Sequence, residues 1–127
     1  MTKTILVDAW NTFVIEEGIN KEMKEMLDEF ENRKIIVTNA NEEEKIKLGI
    51  IDMPYEVFSL SHNPDKTDPE YFKRLFEHFS LTIDDVVYFE HNEDAVKAAE
   101  SIGMSVFHYN KNTKDVEGIR KFLKDNI

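Results

Sequence analysis

The chain has 127 residues and a mass of 14.9 kDa, enough for one sizeable core and little more, so we predict a single domain over residues 1–127. With 26 acidic and 16 basic residues the net charge is −10, which argues against binding nucleic acid or an anionic membrane surface. The absence of cysteine excludes disulfides, thiolate metal sites and cysteine nucleophiles. No apolar run approaches the roughly 20 residues of a membrane helix, and no signal-peptide pattern precedes the first strand pattern, so we expect a cytoplasmic location.

Short apolar runs alternate with amphipathic segments along the chain. The runs are rich in β-branched and aromatic residues, which favours strands, and they cover residues 4–8, 34–38, 55–60, 86–89 and 105–108. Apolar residues recur at helical spacing within 20–33, 68–79, 95–102 and 116–123. Continuous apolar strands joined by helices predict an α/β fold, in which a five-stranded, mainly parallel sheet has helices on both faces.

Residues with capping chemistry stand before several of the predicted helices. Such residues accept hydrogen bonds from the first free backbone N–H groups of a helix. The candidates are Asn41 with Glu44, Thr67 with Pro69, Thr82 with Asp85, and Thr113.

Polar side chains follow the predicted strands, and ligands of a parallel sheet bind beyond the carboxyl ends of its strands. Asp8 ends the first strand, Thr38 and Asn39 end the second, and Lys66 precedes a helix. Glu90 follows the fourth strand and adds a second acidic group. An aspartate can attack an electrophile, while a hydroxyl, an amide and an ammonium group hold the anionic centre. We therefore predict displacement chemistry at a phosphoryl or acyl-like group.

Four segments resemble, in the same order, the four motifs of the haloacid dehalogenase (HAD) superfamily. They read DAWNTF at 8–13, TN at 38–39, KTDPE at 66–70 and EHNEDAVKAAESIG at 90–103. The resemblance covers almost the whole chain. It implies a Rossmann-like HAD core, with the family's characteristic hairpin between residues 9 and 19.

The resemblance also implies a role for each matching residue. Asp8 would be the nucleophile and Lys66 would stabilise the charged intermediate. Asp8 and Glu90 would hold Mg²⁺, a hard cation that prefers oxygen ligands. The substrate- or phosphate-binding set would be Trp10, Asn11, Thr12, Thr38 and Asn39.

Two positions depart from the pattern of the family's phosphatases. Trp10 stands where they carry an aspartate that serves as general acid and base, and losing such a group typically costs about 10² to 10⁴ in rate. His91 replaces the second acidic residue of the fourth motif, and an imidazole is a poor ligand for Mg²⁺. Asn11 stands at the usual glycine, and Asn tolerates unusual backbone angles better than most residues. Tyr88, in the preceding strand, is interpreted as a core aromatic.

The first motif also resembles that of the true dehalogenases, which need neither a metal nor an acid. Those enzymes enclose their substrate with a helical cap inserted after the first motif. Only 30 positions separate Asp8 from Thr38, and a hairpin, a helix and a strand use them. We therefore expect an open site without a cap, which disfavours dehalogenation and admits large substrates.

The resulting prediction is a HAD-like hydrolase, a Mg²⁺-dependent phosphatase that works through an aspartyl-phosphate on Asp8. Its partner would be a phosphorylated small molecule or a phosphoprotein. The alternative is a catalytically degenerate HAD-fold protein that acts as a binding or interaction module. Metal-free displacement of the dehalogenase type is a third interpretation. Neither the substrate nor the oligomeric state is predicted.

Overall fold

The computed structural model describes residues 3–127, which form seven strands and five helices. The strands are β1 (Thr4–Asp8), β2 (Val14–Ile15), β3 (Gly18–Ile19), β4 (Lys34–Thr38), β5 (Glu56–Ser59), β6 (Val86–Glu90) and β7 (Val106–His108). The helices are α1 (Lys21–Leu27), α2 (Glu42–Leu48), α3 (Glu70–Phe79), α4 (Glu93–Ser101) and α5 (Val116–Asn126), with a 3-10 turn at Ile83–Asp85.

Five of the strands form one sheet in the order β5-β4-β1-β6-β7, and every pair in it is parallel. The predicted α/β fold with a five-stranded sheet is confirmed. From β1 the chain extends the sheet to one side through β4 and β5, and then returns to the other side at β6. The carboxyl ends of β1 and β6 therefore flank the point where the strand order reverses, which is where open α/β sheets bind ligands.

Both faces of the sheet are covered, because successive side chains of a strand point to opposite sides. Ile5 and Val7 of β1 belong to a core cluster that includes the buried residues of α1 and α5. Leu6 lies between them in sequence and belongs to the opposite cluster, with the buried residues of α3. Full burial of each such side chain contributes about 1.5–3 kcal/mol. This two-sided packing holds the end of β1, and with it Asp8, in one position.

The first helix is shorter than its apolar spacing predicts. The pattern over residues 20–33 predicts one long helix, whereas α1 ends at Leu27 and Asp28 caps it. Phe30 still packs against the core, although it lies outside the helix. The helix ends early because the chain must reverse direction in the few residues before β4 begins at Lys34.

Two of the four predicted caps form. Asn41 and Thr82 each make a reciprocal capping box with the residue three positions on. The predictions for Thr67 and Thr113 are wrong. Pro69 stands at the start of α3 with no side-chain cap, and Asp115 caps α5 by accepting from the backbone N–H of Gly118. In both cases the helix begins two residues later than its sequence signal suggests.

The predicted hairpin after the first motif is present, formed by β2 and β3. Between β1 and β4 the chain contains only this hairpin and α1, so no cap is inserted at that point. Across residues 3–127, none of the helices is both long and apolar enough to cross a bilayer.

Candidate active site

A cleft of about 240 Å³ opens at the carboxyl ends of β1, β4 and β6. Six residues of the predicted site line it, and the fold brings them together from four separate segments: Asp8, Trp10, Thr38, Asn39, Lys66 and Glu90. Asn11 and Thr12 do not line the cleft. The convergence expected from the sheet topology is therefore present, with these two residues as exceptions.

Asp8 lies at the base of the cleft, almost fully buried at the end of β1. Its Oδ1 accepts a hydrogen bond from the Lys66 ammonium at 2.6 Å. Its Oδ2 accepts one from the Thr12 hydroxyl at 2.7 Å and also contacts Nδ1 of His91. Burial alone would raise the pKa of Asp8, but the Lys66 charge and the His91 hydrogen bond outweigh it and hold that pKa well below its usual value. The carboxylate is therefore ionised at neutral pH, as a nucleophile requires.

Lys66 joins the two buried carboxylates of the site. Its Nζ lies 2.6 Å from Asp8 Oδ1 and 2.8 Å from Glu90 Oε1. Asn39 holds the lysine backbone in place, because its side-chain oxygen accepts from the Lys66 N–H at 2.7 Å. Burial lowers the pKa of Lys66, yet the charges of Asp8 and Glu90 more than reverse this and hold it above its normal range. The lysine is thus a fixed positive charge beside the candidate nucleophile.

Glu90 is fully buried at the end of β6, so its oxygens need partners. Oε1 contacts the hydroxyl of Tyr88 in addition to Lys66. Oε2 accepts from the backbone N–H of Asn92 at 3.0 Å and lies 3.3 Å from Nδ1 of His91. Both carboxylate oxygens are therefore satisfied within the described chain.

His91 stands over the two carboxylates at the mouth of the cleft, partly exposed to solvent. Partial burial lowers its pKa, but hydrogen bonds to Asp8 and Glu90 and their negative charges together raise that pKa to about 9. At neutral pH the ring is therefore an imidazolium. It adds a second positive charge beside Asp8.

Thr38 and Asn39 form the wall of the cleft opposite His91 and are placed by the end of β4. The Tyr71 hydroxyl lies 2.9 Å from the Thr38 carbonyl and 3.1 Å from its N–H, which fixes the backbone there. The Thr38 side-chain oxygen accepts from the Ala40 N–H at 3.2 Å. Both side chains line the cavity.

Asn11 and Thr12, the two predicted site residues that do not line the cleft, have structural roles. Asn11 adopts a left-handed backbone with φ of 69°, which matches the expectation that it replaces a glycine. Thr12 is fully buried, and its hydroxyl is directed to Asp8. Neither side chain reaches the cavity, so the structure gives no support for contact between them and a substrate.

Sequence reasoning missed three contacts at the site. The fourth motif indicates for His91 only that it is a poor magnesium ligand, whereas in the structure it contacts Asp8 directly. Tyr88 is buried as predicted, and its hydroxyl also contacts Glu90. His62 is not among the predicted site residues, and it lies on the cleft rim between Glu44 and Asp65. Only His91 had a signal, its place in the fourth motif; the other two contacts depend on tertiary packing.

The residues at the base of the cleft do not fit Mg²⁺ well. Asp8, Glu90 and His91 bring potential ligand atoms within 4.8 Å of one another. However, one of the three is a nitrogen donor, and Mg²⁺ prefers six oxygens in near-ideal octahedral geometry. All four carboxylate oxygens already accept hydrogen bonds from the protein. A cation could bind there only if several of these contacts were broken.

The fold is a Rossmann-like α/β fold with a five-stranded parallel sheet, and the cleft lies at the carboxyl ends of its central strands. No family model matches the sequence, and no curated protein matches it. Among solved structures, an uncharacterised protein from Corynebacterium glutamicum superposes with a TM-score of 0.65 at 14% identity, over 98% of this chain and 96% of that one. The core domain of a candidate phosphoglycolate phosphatase from Streptococcus pneumoniae superposes with a TM-score of 0.64 at 16% identity, over the same shares of the two chains. At these identities the likeness establishes the fold alone.

Proposed function

We propose that this protein is a HAD-like hydrolase in which Asp8 accepts a phosphoryl group from its substrate. The observation that carries the proposal is the ionised, buried Asp8 at the base of an open cleft, with Oδ1 only 2.6 Å from the Lys66 ammonium. A preorganised positive charge at this position stabilises the negative charge that develops during phosphoryl transfer. The similarity to the core domain of a candidate phosphatase agrees with this chemistry.

The reaction begins with attack of an Asp8 carboxylate oxygen on phosphorus. Oδ1 has one hydrogen-bond donor and Oδ2 has several, so Oδ1 retains the greater free acceptor capacity. The bond from phosphorus to the leaving oxygen breaks, and the leaving group departs with the electron pair. Water then attacks the aspartyl-phosphate, which restores the Asp8 carboxylate and releases inorganic phosphate. Throughout, Lys66 balances the charge of the intermediate.

Thr38 and Asn39 are proposed to bind the phosphoryl oxygens. The Thr38 hydroxyl accepts from Ala40, which leaves its own proton available for donation. The Asn39 oxygen is used by Lys66, so its side-chain NH₂ group is the part that can donate to a ligand. Together the two residues supply neutral donors on the side of the cleft away from His91.

Trp10 limits which substrates can react quickly. It lines the cleft at the sequence position of the family's general acid, and it has no titratable group that could protonate a leaving oxygen. We therefore propose activated phosphates, such as aryl or acyl phosphates, whose leaving groups depart without protonation. Because no cap follows β1, the phosphoryl group can belong to a small molecule or to an exposed site on a protein.

A binding module without turnover is the second candidate. One observation favours it: the Asp8 Oδ2 atom, which contacts Thr12 and His91, is already bound to the protein. Such a site could hold a phosphate group yet react slowly. Dehalogenase-type displacement is not proposed, because the cleft is open and lined with charged groups and so lacks the apolar chamber that a small haloacid needs.

The test is hydrolysis of p-nitrophenyl phosphate, run in MgCl₂ and in EDTA, with mass spectrometry of the acid-quenched protein. We expect turnover and a phosphoryl group on the peptide that contains Asp8. Asp8→Asn should abolish both. Asp84→Asn, at an exposed position in the 3-10 turn, is the matched control and should change neither. Phosphate binding without turnover in either buffer would support the binding module instead.

A further inference from the structure

The histidine above the two carboxylates occupies the position that a divalent cation would need. Nδ1 of His91 lies in hydrogen-bond contact with Asp8 Oδ2 and 3.3 Å from Glu90 Oε2. A cation bridging these two oxygens would have to lie where the ring nitrogen now stands. The His91 backbone is fixed at the same oxygen, because its N–H donates to Asp8 Oδ2 at 3.3 Å.

The other oxygen of each carboxylate also accepts a hydrogen bond from the protein. Lys66 bridges Asp8 Oδ1 and Glu90 Oε1, and its side chain is only 8% exposed. The Tyr88 hydroxyl shares Glu90 Oε1. No buried side-chain nitrogen or oxygen is left without a partner among the described residues. An absent ion usually leaves such atoms unsatisfied, and here none is.

We propose that His91 and Lys66 together take the place of the divalent cation between Asp8 and Glu90, so that this site binds its ligand without a metal. Lys66 fills the inner position between Oδ1 and Oε1, and His91 fills the outer position between Oδ2 and Oε2. The exclusion of the cation does not depend on any catalytic activity. Only the statement that the ligand is a phosphoryl group rests on the proposed function.

One consequence is that a single substitution should create a cation site. In His91→Asp the imidazole is removed and an oxygen ligand is added beside Asp8 Oδ2 and Glu90 Oε2, which gives the oxygen-rich environment that Mg²⁺ prefers. His91→Ala removes the ring and adds no ligand. His91 is partly exposed, so both variants are expected to fold, which a thermal melt checks.

The experiment is a calorimetric titration of the protein with MgCl₂ and, separately, with MnCl₂. We expect no saturable binding at the site in wild type, and binding in the millimolar range or tighter in His91→Asp, lost again in Asp8→Asn/His91→Asp. The matched control is His108→Asp. His108 is exposed and its Nε2 lies 3.0 Å from the His91 carbonyl, so this variant makes the same substitution nearby but outside the carboxylate pair. It should not gain the site.

Three results decide the matter. Saturable binding of either cation to wild type that disappears in Asp8→Asn would overturn the proposal. So would the failure of both His91→Asp and His91→Ala to bind, because His91 would then not be what excludes the cation. Binding to wild type that survives in Asp8→Asn lies elsewhere on the acidic surface and agrees with the proposal. Because the titration needs no turnover, its outcome is separate from the phosphatase test.

Discussion

Two groups of side chains at the same cleft have a similar composition and very different surroundings. The central cluster consists of Asp8, Lys66, Glu90 and His91, and the rim cluster consists of Glu44, His62 and Asp65. In each, a histidine lies between two carboxylates. The side chains of Asp8 and Glu90 are 2% and 0% exposed, whereas those of Glu44 and Asp65 are 40% and 44% exposed.

Burial, and not residue type, determines how much the loss of one of these contacts costs in stability. In the central cluster the charges have lost their water, so each depends on its protein partners, and removal of one leaves an unpaired buried charge. In the rim cluster water replaces any lost partner and salt screens the remaining attraction. The central cluster is therefore suited to holding a charged reaction centre. The rim cluster connects α2 to the loop before Lys66.

Lys66→Met, in the central cluster, is expected to have the largest effect on stability. It keeps the length of the side chain and removes the charge between Asp8 and Glu90. We expect a loss of about 3–5 kcal/mol in the free energy of unfolding, measured by urea denaturation, since two buried carboxylates would face each other. Lys97→Met is the control. Lys97 pairs with Glu93 on the exposed face of α4, and its loss should be too small to measure. Equal losses of unfolding free energy in Lys66→Met and Lys97→Met would contradict the difference in energy between buried and exposed ion pairs.

Removal of the buried hydroxyl next to Asp8 should have a smaller effect. Thr12→Val preserves shape and deletes the hydrogen bond to Oδ2. A hydrogen bond to a charged group contributes about 1.5–3 kcal/mol, so we expect a loss within that range in urea denaturation. Thr113→Val, at an exposed position before α5, is the matched change and should leave stability unchanged. If Thr12→Val is as stable as wild type, another hydrogen-bond donor has replaced Thr12 at Asp8 Oδ2.

The charge on His91 predicts a dependence of stability on pH. Its pKa is raised from 6.5 in the unfolded chain to about 9 in the folded protein. A raised pKa stabilises the fold below pH 6.5, and this stability is lost as the pH rises through about 9. The thermal midpoint should therefore fall over that window in wild type and fall less in His91→Gln, which cannot be protonated. Parallel curves for the two proteins would show that folding does not raise the pKa of His91.

The smallest effect is expected at the rim. A neutral histidine has one N–H, so His62 can donate to both Glu44 and Asp65 only when it is protonated. The carboxylates raise the pKa of His62, but its side chain is 46% exposed and the pairs are screened. We expect His62→Gln to leave the urea midpoint within error of wild type. A loss as large as that of Thr12→Val would place the rim cluster among the structural contacts of the fold.

Much of the fold follows from local patterns. The runs TILVD and KIIVT are apolar, β-branched and short, and both form buried strands with the predicted bounds. The ends of helices were harder to predict. The apolar spacing that continues to Phe30 reflects burial against the core, and burial does not require helical backbone. Thr113 has a side chain suited to capping a helix, but Asp115 is the residue that caps α5.

The amino-acid sequence by itself determined the alternation of strands and helices, and it put Asp8, Thr38 and Glu90 at strand ends that a parallel sheet must bring to one edge. The tertiary structure alone decided which atoms meet there. Lys66 reaches Asp8 across 58 positions of sequence and His91 across 83. Such contacts depend on backbone placement to within a fraction of an ångström and on the loss of water around each charge. The spacing of residues along the sequence specifies neither the backbone placement nor the loss of water, because both are properties of the packed core.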